Sequence, residues 1–255
     1  MLQATGLSVL HQTAHLSVPD LPGSAGTRVA VLLIGLLLWA NHARAQVDED
    51  QTGAWYMYFF NAQSEQSQWG WQGDIQYRNW DLIGDLEQLL VRGGRTWSPR
   101  SNDAMFTLGY ANITTGEFGS GDSTTEEHRA YQEALLPQKI GERVYLRHRF
   151  RYEQRWVDDQ DFRTRFRYAL FVDVPLNGTA VRRDTWYLAF YNELFVNGER
   201  DIGDGRSVER FDRNRTYAAI GYGLSDRMRL QFGYMHQATD DVDKGQVQLS
   251  LHQTF

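Results

Sequence analysis

The chain has 255 residues, 42% of them hydrophobic and 13% aromatic, with 23 glycines, only 5 prolines, no cysteine and a formal charge of −6. That length needs no more than one domain, and the aromatic and glycine content together with a negative mean hydropathy favours strands and turns over apolar helices. The missing cysteines exclude disulfides and thiolate chemistry, and Lys139 and Lys244 are the only lysines among 26 basic residues, so an acidic chain carries its positive charge on arginine and is poorly suited to nucleic acid.

Arg28 precedes the apolar run VAVLLIGLLLWA at 29–40, and an Ala-x-Ala site follows at 43–45. Twelve apolar residues are too few to span a bilayer as a helix. The pattern is that of a secretory signal peptide cut after Ala45. Residues 1–45 are therefore expected to be removed, with 1–27 upstream of the true start, leaving 46–255 as the mature domain.

From there the chain alternates. AWYMYFF at 54–60 is apolar on both faces. In 68–80, Trp69, Trp71, Ile75 and Tyr77 oppose Gln72, Asp74, Gln76 and Arg78. The segment 85–97 is less regular, and a bulge is expected to shift its parity between Glu87 and Arg92. Phe106, Leu108 and Tyr110 share a face of the next strand, and HRAYQEALLPQK at 128–139 follows a polar loop.

The alternation is clearest from Arg143 to Pro175. Val144, Leu146, His148, Phe150, Tyr152 and Trp156 share one parity, and Arg147, Arg149, Arg151, Glu153 and Arg155 the other. After a short acidic turn, Phe162, Phe166, Tyr168, Leu170 and Val172 alternate with Arg163, Arg165, Arg167 and Asp173. A period of two means strand, because a helix would scatter these arginines around its circumference. Further strands are expected at 184–197, 214–224, 228–237 and 246–255, about eleven segments in all, each long enough for a tilted strand to cross a bilayer.

The connections sort into two sets. Those at 98–103, Gly141 and Ser225 are short. The intervening ones are longer and acidic, carrying Glu117, Asp122, Glu126 and Glu127, then Asp158 and Asp159, then Glu199, Asp201 and Asp204, then Asp240, Asp241 and Asp243. Alternate connections of an up-and-down barrel lie at one end, and short turns at one rim with long loops at the other is the outer-membrane arrangement. The chain also ends on Phe255, with Val247, Leu249 and Leu251 in the same parity, like the closing strand that outer-membrane assembly machinery recognises.

Five blocks, QYRNW at 76–80, DLEQLLVR at 85–92, EHRAYQE at 127–133, FRTRFRY at 162–168 and NELFVN at 192–197, resemble those of a bacterial family known as domain of unknown function 2490. The likeness runs from about Gln51 to Phe255. It implies an outer-membrane β-barrel and no particular reaction or ligand.

The expected fold is therefore all-β, an up-and-down antiparallel transmembrane barrel of ten to twelve strands in the bacterial outer membrane. Single-chain bacterial barrels have an even strand number, so twelve is favoured over ten. An odd count would mean a missed strand near 79–84 or an opening segment threaded through the lumen.

The expected interior is an arginine ladder of Arg147, Arg149, Arg151, Arg155, Arg163, Arg165 and Arg167, with Glu87, Glu133, Glu153, Asp173 and Glu193 as acidic partners. One reading is an anion-attracting pore or pocket; the other is an ion-paired plug filling a narrow lumen. Either way the role is structural or that of a narrow passive channel. The expected partners are outer-membrane lipid, lipopolysaccharide and the assembly machinery, with no cofactor, no resident metal and no nucleic acid.

Two alternatives stand beside it. One is an outer-leaflet lipid hydrolase, for which His128 with Ser120, Ser123, Glu126 and Glu127 is the plausible grouping, Ser250 and His252 falling at the opposite end. The other is a secreted soluble barrel binding an acidic small molecule. The aspartates at 158, 159, 161, 201 and 204 are hard-oxygen donors without EF-hand spacing, and read first as solvated charge. Trp55, Trp69, Trp71, Trp80, Trp97, Trp156 and Trp186 are assigned to interfacial belts.

Overall fold

A computed structural model describes residues 51–64, 66–119, 121–240 and 243–255. The expected signal segment, 1–45, lies outside the described residues. Every regular element among them is a strand: β1 (Gly53–Gln63), β2 (Trp69–Asn79), β3 (Leu86–Trp97), β4 (Met105–Gly116), β5 (Thr124–Ile140), β6 (Val144–Val157), β7 (Arg163–Pro175), β8 (Trp186–Asn197), β9 (Phe211–Ser225), β10 (Met228–Ala238) and β11 (Asp243–Thr254). Consecutive strands pair antiparallel around a closed barrel.

Eleven segments were expected from the alternation and eleven strands form. The preference for an even number does not hold. With strands alternating in direction, an odd count makes the first and last run the same way, and β1 closes on β11 in parallel register from Gly53↔Gln246 to Asn61↔Thr254. Neither proposed escape occurs. Residues 80–85 only connect β2 to β3, with Trp80 N–H donating to the Asp85 carbonyl at 2.8 Å, and the opening segment is a wall strand. Full closure leaves no unpaired edge to template association. Phe255 completes the seam, its N–H donating to the Asn61 carbonyl at 2.8 Å.

The parity shift expected in β3 is present. Arg78 of β2 faces Gln88 while Asn79 faces Leu86, so Glu87 is the extra residue of a bulge.

The rims differ more in charge than in length. One rim carries 64, 66–68, 98–104, 141–143, 176–185 and 226–227. The other carries 80–85, 117–119, 121–123, 158–162, 198–210 and 239–240, and on it fall Asp81, Asp85, Glu117, Asp122, Asp158, Asp159, Asp161, Glu199, Asp201, Asp204, Glu209 and Asp240. The expected acidic loops thus do share an end, but the expected shortness of the opposite set fails at 176–185. That loop is long because it is folded: Asn177 Nδ2 donates to the Asp184 carbonyl at 2.9 Å, Asp184 N–H donates to the Gly223 carbonyl at 2.9 Å, and Val181 packs against the interior cluster of Tyr187, Ala189 and Tyr217. Glu126 and Glu127, expected in a loop, belong to β5.

The barrel is inverted relative to a soluble core. Among the described residues, 28 polar or charged side chains are buried against 16 hydrophobic ones, while 31 large hydrophobic side chains are exposed. Trp71, Ile75, Leu108, Phe166 and Phe232 are among the outward set, each at least half exposed. Alternation is the cause: once closure decides which face is inside, every second residue follows.

Candidate functional site

The lumen holds a cavity of about 690 Å³. Its lining reaches the rim of short turns through Asp226, Arg227 and Thr254, and includes no residue of the acidic loops. Its walls are chemically unequal. Strands β5 to β8 present charge; β8, β9, β10 and β1 present Tyr187, Ala189, Tyr217, Ala219, Met235 and Trp55.

The charged wall is built by register. Glu133 of β5 lies opposite Arg151 of β6, and Glu153 of β6 opposite Arg165 of β7. Arg151 Nε donates to Glu133 Oε2 at 2.7 Å. Glu153 joins three arginines: Arg165 at 2.7 Å, Arg167 at 2.6 Å and Arg151 at 3.8 Å. Glu193 of β8 takes Arg149 at 2.5 Å and Arg167 at 2.6 Å on the same oxygen, and Asp173 takes Arg147 at 3.0 Å and Arg229 at 3.4 Å. Like charges directly across a sheet are destabilising. The facing Arg151 and Arg167 are tolerated because Glu153 reaches both. Aromatic faces carry more of the charge, with Arg151 4.5 Å from the Tyr131 ring centroid and Arg167 4.3 Å from that of Phe195.

The predicted ladder is thus on one face of β6 and β7, and four of its five acidic partners pair with it. Glu87 departs. The β3 bulge places it beside β1, where it accepts from Trp55 Nε1 at 2.9 Å and from Gln246 Nε2 at 3.4 Å. Arg163 is buried without an ion pair among the described residues, and its Nε has no hydrogen-bond partner.

Sequence reasoning missed part of the network. Glu127 points inward and takes both Arg129 and Arg155 at 2.5 Å. Asp74 takes Arg92 at 2.6 Å, and Asp212 takes Arg165 at 2.9 Å and Arg213 at 3.1 Å. The parity of Asp74 with Arg78 was a legible signal, but which arginine it meets depends on the β2–β3 register. Thirteen arginines line the cavity, and seven carboxylates pair with ten of them.

Trp55 is a correction: it is 2% exposed and inside the barrel, not in an outer belt. Trp80 sits at the acidic rim with Lys244 Nζ 4.2 Å from its ring centroid and Phe118 against its edge. Trp69, Trp71, Trp97, Trp156 and Trp186 do face outward.

His128 also faces outward, with Nδ1 2.5 Å from the Tyr110 hydroxyl, while Glu126 accepts from Asn112 and Thr114. The Ser123 hydroxyl donates to Glu117, and Ser120 lies outside the described residues. Ser250 Oγ and His252 Nε2 are 3.0 Å apart inside the lumen, where the His252 ring stacks on Phe59. Among the loop aspartates, Asp201 accepts from Gly203 N–H at 3.0 Å and Asp158 from Glu126 N–H at 2.9 Å; no group of three or more potential metal ligands occurs among the described residues. Val247, Leu249, Leu251 and Phe255 share the outward parity of the closing strand, with Leu249 and Phe255 exposed.

Residues 52–248 match the family model described as "Protein of unknown function (DUF2490)". No curated protein and no solved structure matches the chain.

Proposed function

The chain belongs to the DUF2490 family, and from the chemistry of its barrel we propose that it is an outer-membrane protein whose cationic, partly ion-paired lumen gives small anions a narrow passive route. The observation that carries this is the inversion: an outward surface of large apolar side chains around an interior with more arginines than carboxylates. An aqueous surface would not keep so many large apolar side chains together, whereas a barrel in lipid needs them there. Rings of arginine favour anions in pores.

The membrane part of the proposal is tested on the outer face. Ile75 stands mid-strand in β2 and is 50% exposed. In a bilayer, Ile75→Arg is expected to destabilise the barrel by about 2–4 kcal/mol, measured by urea unfolding in lipid vesicles; on a secreted soluble barrel the same change would be nearly neutral.

The transport part is tested in planar bilayers under a salt gradient. The expected result is small currents with a reversal potential on the anion side. Replacing Arg147 and Arg229, which share Asp173 near the short-turn rim, by Gln is expected to reduce that selectivity. A correctly folded but silent barrel would favour a second reading, an ion-paired scaffold, for which the pairing of ten of the thirteen lining arginines is the supporting observation. The outer-leaflet lipid and the assembly machinery, the latter through the outward stripe of β11, are its partners on this proposal.

A further inference from the structure

Three lining arginines stand apart from the network, and of these Arg227 is exposed at the rim while the other two are buried. Arg78 and Arg215 are both buried, and no carboxylate among the described residues lies within 4.0 Å of either. Both lie over one indole, with guanidinium carbons 3.9 and 4.8 Å from the Trp55 ring centroid. Arg78 is held by neutral partners, donating to Gln76 Oε1 and Gln88 Oε1 at 2.6 Å each. Arg215 donates through Nε to Gln237 Oε1 at 2.8 Å, and its two terminal amino groups have no hydrogen-bond partner among the described residues.

The acids that could have neutralised them are engaged elsewhere. Glu193 faces Arg215 across the β8–β9 ladder, but one of its oxygens already serves Arg149 and Arg167. Glu87 is turned to the Trp55 N–H and Gln246. Burying a guanidinium without a counter-charge is expensive, and two such groups share one aromatic platform facing a cavity.

We propose that Arg78 and Arg215 form an anion site in the lumen, which takes the oxyanion head of a small molecule with an apolar body. An oxyanion supplies the missing counter-charge, and a guanidinium fork with free terminal donors suits carboxylate or phosphate. The apolar body is indicated by the surroundings: Trp55, Tyr191 and Tyr217 line the same cavity, with Tyr191 and Tyr217 stacked at 4.8 Å. A cavity of about 690 Å³ is of the size that small-molecule sites occupy. This deepens the proposed passage of anions by giving it a binding station, yet it requires only the lumen and no conduction.

The test is isothermal titration of the full chain, purified in detergent, with benzoate, phenyl phosphate and the neutral benzamide. Both anions are expected to bind, or one of them if the site prefers carboxylate or phosphate geometry, while benzamide does not. The double variant Arg78→Gln/Arg215→Gln is expected to weaken anion binding at least tenfold, about 1.4 kcal/mol. Its folding is checked by the heat-dependent gel shift of closed barrels. Arg200→Gln, on an exposed loop residue, is expected to change nothing. Failure of both anions to bind the wild-type chain, equal binding by the folded double variant, or binding of benzamide with similar affinity would each overturn the site. Because the membrane proposal is read from Ile75→Arg and the transport proposal from reversal potentials, either can fail or stand without this one.

Discussion

Replacing Glu153 by Gln is expected to destabilise the barrel by about 3–5 kcal/mol, the cost of removing one partner from a buried ion-pair network. Glu153 is 1% exposed and reaches Arg165, Arg167 and Arg151 from the middle of the charged wall. Gln keeps the shape and one acceptor oxygen but removes the charge that lets Arg151 and Arg167 face each other across β6 and β7. The loss should appear as a lower urea midpoint in lipid vesicles and as easier heat unfolding on gels. Adding Arg167→Met to Glu153→Gln should recover part of it, because one uncompensated cation is then gone. A loss below about 1 kcal/mol for Glu153→Gln would mean that water, not Glu153, neutralises the wall.

Gly221→Val is expected to be the most damaging change on the opposite wall. A Cβ at Gly221 would fall within the Tyr187 ring, which lies flat against the β9 backbone and is fully buried. The hydroxyl of Tyr187 accepts from Gln231 Nε2 at 3.0 Å, so the ring cannot swing aside without breaking that bond. Overpacking of this kind costs about 1–3 kcal/mol, and the branched side chain places the effect at the upper end. Tyr187→Ala in the Gly221→Val background should relieve the clash, giving a double variant that is more stable than the two separate losses predict. Tyr131 lies over Gly109 in the same way across β4 and β5, so Gly109→Val should behave alike. Wild-type stability for Gly221→Val would show that the ring has another place to go.

The arginine ladder was legible because alternation is a property of a single strand. Six residues apart or two, a side chain on β6 or β7 faces the same way as its parity mates, and that needs no partner strand to be known. The acidic partners within the same strands, Glu153 and Asp173, were legible for the same reason, as was the β3 bulge, since DLEQLLVR breaks the period of two within one segment. Glu127 was misplaced into a loop because it sits at the end of a run of polar residues, where β5 begins earlier than the apolar pattern suggests. The comparable depth of Trp55 inside the barrel was not legible, because AWYMYFF is apolar on both faces and only closure says which is inward.

What the sequence by itself determined is the alternation, hence the strand type, about eleven strand segments and the separation of an arginine face from an aromatic face. What only the tertiary structure decided is register and closure. Pairing between strands fixes which carboxylate meets which arginine, so Glu153 joins three cations, Glu87 joins none and Arg78 and Arg215 are left over Trp55. Closure joins β1 to β11 across nearly the whole described chain, a contact that no local pattern contains, and an odd number of alternating strands then makes that one seam parallel.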